Sequence, residues 1–206
     1  MVTIWGRRNS ANVVKVLWLC DEIELEFERK DVGGPFGGLD TPAFLALNPN
    51  GVIPVIEDGG TVVWESHAVL RYLATKYGPA PIYPPEPAAR SHVERWLDWH
   101  IHMLAPAIMP VFVGLHRTPK EKRDEVALAG QIAQLTTTMT WLDRQMADRP
   151  FIAGDTFTIA DIAFGNSIWR WFAFDIERPP TPNLESWQAR VGERPGHRAH
   201  IAQPLS

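Results

Sequence analysis

The chain opens on an apolar run, Val2 to Trp5, long enough for one short strand. The period then changes. Val13, Val16, Leu17, Leu19, Cys20 and Ile23 recur at helical spacing while Asp21, Glu22 and Glu24 fall off that face, so residues 12 to 24 are predicted as an amphipathic helix. Phe27 to Val32 returns to alternation, with Phe27, Arg29 and Asp31 set against Glu28, Lys30 and Val32. A strand, a helix and a strand this close together predict a parallel crossover. The Gly-rich stretch "GGPFGGLDT" reads as a loop, and "TPAFLALN" as a short helix with Thr41 as N-cap and Pro42 at its first position. "IPVIEDGGTVVWE" predicts a hairpin, because Asp58, Gly59 and Gly60 tolerate positive φ between two apolar runs. "SHAVLRYLATKYG" closes the unit as a helix, with Ser66 expected to cap it and Gly78 to end it in the left-handed conformation.

This order of elements is that of an α/β thioredoxin-like domain, assigned to residues 1–78. Residues 79–87 are rich in proline and lack periodicity, so they read as a linker. Residues 88–206 are helical in pattern and form an all-α domain. In it, Val93, Trp96, Leu97, His100, Ile101 and Leu104 mark a helix over 88 to 104, which Pro106 and Pro110 are expected to kink or interrupt. A second long helix is expected over roughly 119 to 147. A third opens in "FIAGDTFTIADIAFGNSIWRW" through a capping box of Thr158 and Asp161, with Phe157 and Ile162 as a hydrophobic staple. The terminal "PLS" is expected to fray.

Composition narrows the chemistry. With 206 residues, 45% hydrophobic and 21% charged, the chain can bury a core. A formal charge of -4 and the lack of a dense Lys/Arg run argue against nucleic acid as a partner. No segment approaches the roughly 20 apolar residues of a membrane span, so a cytoplasmic protein is expected. Cys20 is the single cysteine, which excludes an intramolecular disulfide, a C-x-x-C redox pair and a thiolate zinc cluster. His100 and His102, two residues apart, lie on different helix faces, so no metal is expected.

The layout and two motifs together resemble the cytosolic glutathione transferases, specifically the bacterial serine-type members that are phi/theta/nu-like. "PAFLALNPNGVIPVIEDGGTVVWESHAVLRYLATKYG" is similar to that family's most recognisable segment, with Pro54 where the family has a cis-proline and Glu65-Ser66 at its acidic-serine pair. "DRPFIAGDTFTIADIA" resembles the signature of its helical-bundle domain. "SANVVKV" resembles the S-x-N-x-x-[RK]-V stretch of serine-type members, placing Ser10 on the catalytic serine, while a related pattern of the nu-like branch places an asparagine at Asn12.

The resemblance implies a glutathione transferase that conjugates the glutathione thiolate to small hydrophobic electrophiles, in detoxification. Glutathione is its co-substrate. Free glutathione's thiol has a pKa of about 8.5, so a hydroxyl donating to the sulfur would favour the nucleophilic thiolate. That role falls to Ser10, with Asn12 secondary. A cis bond at Ile53-Pro54 would expose the main chain of Ile53, beside Val52, to pair with the cysteinyl backbone. Ser66 would hold the γ-glutamyl carboxylate at a helix N-terminus, and Glu65 would help position the ammonium. Read without the family, Ser10, Asn12 and Ser66 are ordinary N-caps. Arg7 and Arg8 are read as solvated loop charges, either of which could lie near the thiolate or an acidic electrophile. Leu39, Asp40 and Val52 occupy positions where relatives often carry cations for the glycine carboxylate, so that end has no visible partner.

The electrophile is expected between the domains, with Trp99, His102, Met103, Trp169 and Phe172 as candidate lining residues. A homodimer is implied, in which Asp98 is the candidate to reach the partner's γ-glutamyl amine. Two alternatives stand: a glutathione-dependent disulfide or peroxide reductase of nu-like type, and a non-catalytic interaction module with the same fold.

Overall fold

The computed structural model describes residues 1–205, leaving Ser206 outside the description. Strand β1 (Val2–Trp5) pairs in parallel with β2 (Phe27–Lys30) through helix α1 (Val13–Glu22), the crossover that the alternating periods predict. Helix α2 (Pro42–Leu47) carries Thr41 as its cap, the Thr41 Oγ1 accepting from the Phe44 N–H at 3.3 Å. The hairpin β3 (Val55–Asp58) and β4 (Thr61–Trp64) turns on Gly59 and Gly60, both at positive φ. These four strands form one mixed sheet in the order β2-β1-β3-β4, and helix α3 (Ser66–Tyr77) returns across it.

The helical domain contains α4 (Pro87–Trp99), α5 (Ala105–Phe112), α6 (Glu125–Gln145), α7 (Ile159–Ala173) and α8 (Pro182–Gly192). Pro106 and Pro110 do not break the chain into separate helices. Wide π-helical turns at His100–Leu104 and Val113–Arg117 flank α5. There the Ala105 N–H and the Thr118 N–H reach back to His100 and Val113, a longer register that keeps the helix running around its prolines. The capping box forms as expected: the Asp161 carboxylate accepts from the Thr158 N–H at 2.9 Å, the Ile152 N–H at 2.8 Å and the Trp187 indole at 2.8 Å.

Three local expectations are corrected. Ser66 is the first residue of α3 and not its cap; Glu65 holds the cap position at φ +68, a conformation that few non-glycine residues adopt. Gly78 ends α3 in an extended conformation, φ -80, with its N–H on the Ala74 carbonyl. Leu205 of the terminal "PLS" packs against the core, and only Ser206 lies outside the description.

The two domains share a continuous apolar core, and α1 is its hub. Trp18 is fully buried and lies against the backbones of Gly165 and Gly196, where an added Cβ would approach its ring to 2.4 and 2.5 Å. Only glycine leaves room for that indole. Trp18 Nε1 donates to Glu22 at 2.7 Å, and Arg194 holds the same carboxylate at 2.5 Å. The C-terminal half of α1 is thereby locked to the helical domain.

Candidate active site

Three chain segments converge where the N-terminal half of α1 meets α3 and the helical domain. The first is the turn from β1 into α1. There the Ser10 carbonyl accepts the Val14 N–H at 3.0 Å, and the residue is 7% exposed. Among the described residues no hydrogen bond takes up the Ser10 hydroxyl. Asn12 holds the cap position of α1 but makes no side-chain cap, so the first-turn amides are not covered by it. Its Oδ1 instead lies 3.1 Å from Lys15 Nζ and 3.5 Å from Ser66 Oγ. Asn12 thus joins the start of α1 to the start of α3.

The second segment is the pair of residues flanking the cis peptide bond Ile53-Pro54, which the structure contains. The Val52 carbonyl is held by Asn48 Nδ2 at 2.8 Å, and the Val52 side chain is half exposed. The third is the β4–α3 junction, with exposed Glu65 at positive φ followed by buried Ser66. A residue in a sparsely populated conformation persists where its surroundings impose it, which here aims the start of α3 toward Asn12.

Behind this junction lies a group of polar side chains in an otherwise apolar interior. Lys15 is 4% exposed, and its Nζ stands 3.5 Å from His67 Nε2. The His67 and His100 rings are 5.1 Å apart, and His100 Nε2 contacts Ser167 Oγ at 3.0 Å. Burial, reinforced by the Arg170 charge and opposed by Glu65, brings the Lys15 ammonium down to about 7. Burial first, then Lys15 and Arg71, lowers His67 to about 2, and His100 falls well below the usual range for the same leading reason. Both imidazoles are therefore neutral at physiological pH.

A cavity of about 290 Å³ opens between the domains onto these groups, lined by Ser10, Asn12, Lys15, His100 and Ser167. Arg7, Arg117 and Arg170 complete its polar wall, while Ile108 and Met109 supply apolar surface. A larger crevice of about 450 Å³ adjoins it through Asn166 and Arg170 and extends along Arg8, Phe36 and Trp169. Of the aromatic candidates, Trp169 therefore borders the interdomain crevice. Trp99 is stacked between Trp141 and Phe164, at 5.1 and 5.8 Å, and lines a separate surface hollow. His102 and Met103 are exposed on the π-helical turn, and the Phe172 carbonyl accepts from Arg178. None of these four lines the cavity at Ser10. Asp98, on α4, is exposed and lies 3.4 Å from Arg71.

Lys15, His100, Asn166, Ser167 and Arg170 escape a reading of the sequence alone. The signal available was a charge, Lys15 or Arg170, placed on the apolar face of a predicted helix.

A four-stranded α/β domain with a cis-proline before β3, docked through α1 onto a five-helix domain, defines the two-domain thioredoxin-like transferase architecture. The N-terminal part, residues 1–75, matches the family model "Glutathione S-transferase, N-terminal domain", and residues 125–190 match "Glutathione S-transferase, C-terminal domain". The glutathione S-transferase GstB of Escherichia coli strain K12 is 38% identical over the full length of both chains. Glutathione S-transferase 3 of Zea mays is 30% identical over 97% of this chain and 92% of its own. Among solved structures, the theta class glutathione S-transferase of Xanthomonas axonopodis pv. citri with glutathione bound superposes with a TM-score of 0.94 at 43% identity. That match covers 100% of this chain and 99% of the other. The chain belongs to the glutathione S-transferase family of enzymes.

Proposed function

We propose that this glutathione transferase conjugates the glutathione thiolate to small electrophiles with a hydrophobic body, and that Ser10 activates the sulfur. The observation that carries this is the Ser10 hydroxyl: it has no protein partner among the described residues, stands at the start of α1 and faces a cavity that also reaches Asn12. A hydroxyl donating to sulfur stabilises the thiolate over the thiol, and the uncovered amides of α1 add to the field. No covalent attachment to the enzyme is needed, since the substrate brings its own nucleophile and the protein supplies position and charge stabilisation. Along the glutathione chain, Val52, Ile53 and Pro54 pair with the cysteinyl backbone, while Glu65 and Ser66 receive the γ-glutamyl end.

Residues 1–78 act in this reading as the glutathione-binding domain and 88–206 as the electrophile-binding domain, joined by the linker 79–87. The enzyme works as a cytoplasmic homodimer with a role in detoxification, and the exposed Asp98 on α4 reaches toward the partner's glutathione. The described helices include none long and apolar enough to cross a membrane, and no three His, Cys, Asp or Glu side chains among the described residues gather to hold a metal. Cys20 supports conjugation over cysteine-based disulfide exchange: it is buried on α1, and burial pushes its thiol up to about 12.

Titration with glutathione, following thiolate absorbance, tests the proposal. Saturable binding is expected, with a bound-thiol pKa below the free value. Ser10→Ala raises that pKa and lowers conjugation on the order of 10²-fold, the scale for loss of one preorganised donor. An unchanged thiol pKa would remove Ser10 from the mechanism, and no binding at all would favour the interaction module.

A further inference from the structure

We propose that the cavity beside Ser10 selects electrophiles carrying a carboxylate on their apolar body, with Lys15, Arg170, Arg117 and Arg7 as the anion-recognition site. This rests on the transferase reading of the same cavity.

Unpaired charge marks this cavity. Lys15 and Arg170 are 4% and 5% exposed, and neither forms an ion pair with a carboxylate among the described residues. Among the described residues, the buried Arg170 Nε has no hydrogen-bond partner. Its Nη1 lies 3.4 Å from the Met109 sulfur, and its guanidinium lies 3.8 Å from the centre of the Phe112 ring. Arg117 covers the same ring at 5.0 Å. Phe112 therefore sits against two guanidinium groups, both of which line the cavity together with Arg7. Aromatic stacking orients such groups but does not neutralise them.

Among the described residues no aspartate or glutamate lines this cavity; Glu65 is the acid that acts on Lys15, from outside it. Buried cations without counter-charge are costly, and an anion entering the cavity relieves that cost at several places together. The strain is visible in the groups themselves. Burial and the Arg117 charge bring Arg170 down to about 10, and the Arg170 charge in turn lowers Lys15. One thiolate at Ser10 offsets a single positive charge and leaves the others unmatched. The apolar wall of Ile108 and Met109 then accommodates the body of the molecule.

A matched pair of aryl chlorides reads this directly: 4-chloro-3-nitrobenzoate and its neutral amide, 4-chloro-3-nitrobenzamide. In each, the glutathione sulfur forms a bond to the ring carbon bearing chlorine. The C–Cl bond breaks with its electron pair leaving as chloride, and the thiol proton passes to solvent. After division by the uncatalysed rates, kcat/KM for the benzoate is expected to exceed that for the benzamide by about tenfold or more, the scale of one charge-assisted hydrogen bond. Arg170→Gln should collapse that ratio toward one, and Arg170→Lys should restore part of it. Because Arg170 is packed against Phe112, the exposed Arg117→Gln is a second variant, expected to lower the ratio by a smaller factor.

The unreactive pair 3-nitrobenzoate and 3-nitrobenzamide, titrated calorimetrically into protein saturated with S-methylglutathione, gives a readout independent of turnover. Tighter binding of the benzoate, weakened by Arg170→Gln, supports the anion site, even in a protein that conjugates neither chloride and so refutes the transferase reading. Equal binding and equal normalised rates of acid and amide would overturn it. Displacement of 3-nitrobenzoate by S-methylglutathione would also overturn it, by assigning the cations to glutathione's own carboxylates.

Discussion

The two ends of α1 meet the helical domain in opposite ways. Toward its C-terminus, Trp18 fills the space left by Gly165 and Gly196, and Glu22 is matched by Arg194. Toward its N-terminus, Lys15 faces a cavity lined by three arginines, and its Nζ lies 3.1 Å from the neutral amide oxygen of Asn12. The first end is filled and charge-balanced, as an interface built for stability should be. The second is open and carries excess positive charge, a poor arrangement for stability but a suitable one for a site that receives anions. One helix thereby anchors the domains and presents the chemistry.

The contrast breaks most sharply at the filled end. Trp18→Ala is expected to cost roughly 3–5 kcal/mol, the range for truncating a fully buried aromatic, measured by urea unfolding. At the open end, Lys15→Met should have the opposite sign, stabilising by roughly 1–4 kcal/mol because it removes a buried cation without a counter-charge. The pH dependence follows from the lowered ammonium. With the native group titrating near 7 and the unfolded one near 10.5, the penalty is complete below 7. It shrinks as pH rises and is gone above the unfolded value, since in between only the unfolded chain holds the proton. The advantage of Lys15→Met should therefore fade between pH 7 and 10.5. A variant equally stabilised at both pH values would show that the ammonium is not the cause.

Acid sharpens the comparison from the histidines. His67 lies at the open end and His197 beside Trp18 at the filled end, with ring centroids 5.2 Å apart in the latter pair. Burial lowers them to about 2 and about 4 respectively from 6.5. Below 6.5 the unfolded chain gains protons that the native state refuses, so stability falls as pH drops. Each should cost about 2 kcal/mol at pH 5, and His197→Gln or His67→Gln should flatten the acid limb of a denaturation series. The smallest effect is at the helix contact itself. Gly165→Ala gains helix propensity but pushes a methyl into Trp18, for a net loss of about 1 kcal/mol read as a lowered thermal midpoint.

Local chemistry made much of this fold legible. The change of period at Val13 marks α1, the glycines after Asp58 mark the hairpin, and Thr158 with Asp161 marks the start of α7. Each depends on neighbours within a few residues. Ser66 shows the limit: the sequence offers a serine where a cap belongs, yet the chain places Glu65 there in a positive-φ conformation, which tertiary surroundings impose. Pro106 and Pro110 show it again, because π-helical turns supply hydrogen bonds that a proline-counting rule assigns to a break. Trp99, His102 and Met103 share helical spacing with core residues, but which face of that segment meets the cavity depends on how α4 and α7 dock.

By itself the sequence determined the order of strands and helices and the capping box that opens α7, which follow from periodicity, backbone preference and short-range hydrogen bonding. The cis bond at Pro54 and the role of Ser10 were legible only through the resemblance to the family, since read alone they are a strand-start proline and a helix cap. Only the tertiary structure decided that Lys15 and Arg170, each on the inward face of its own helix, would meet across one cavity with no carboxylate of the described residues between them. Periodicity tells which face of a helix is buried. Whether a charge on that face finds an opposite charge, another like itself or an empty space depends on how the two domains pack.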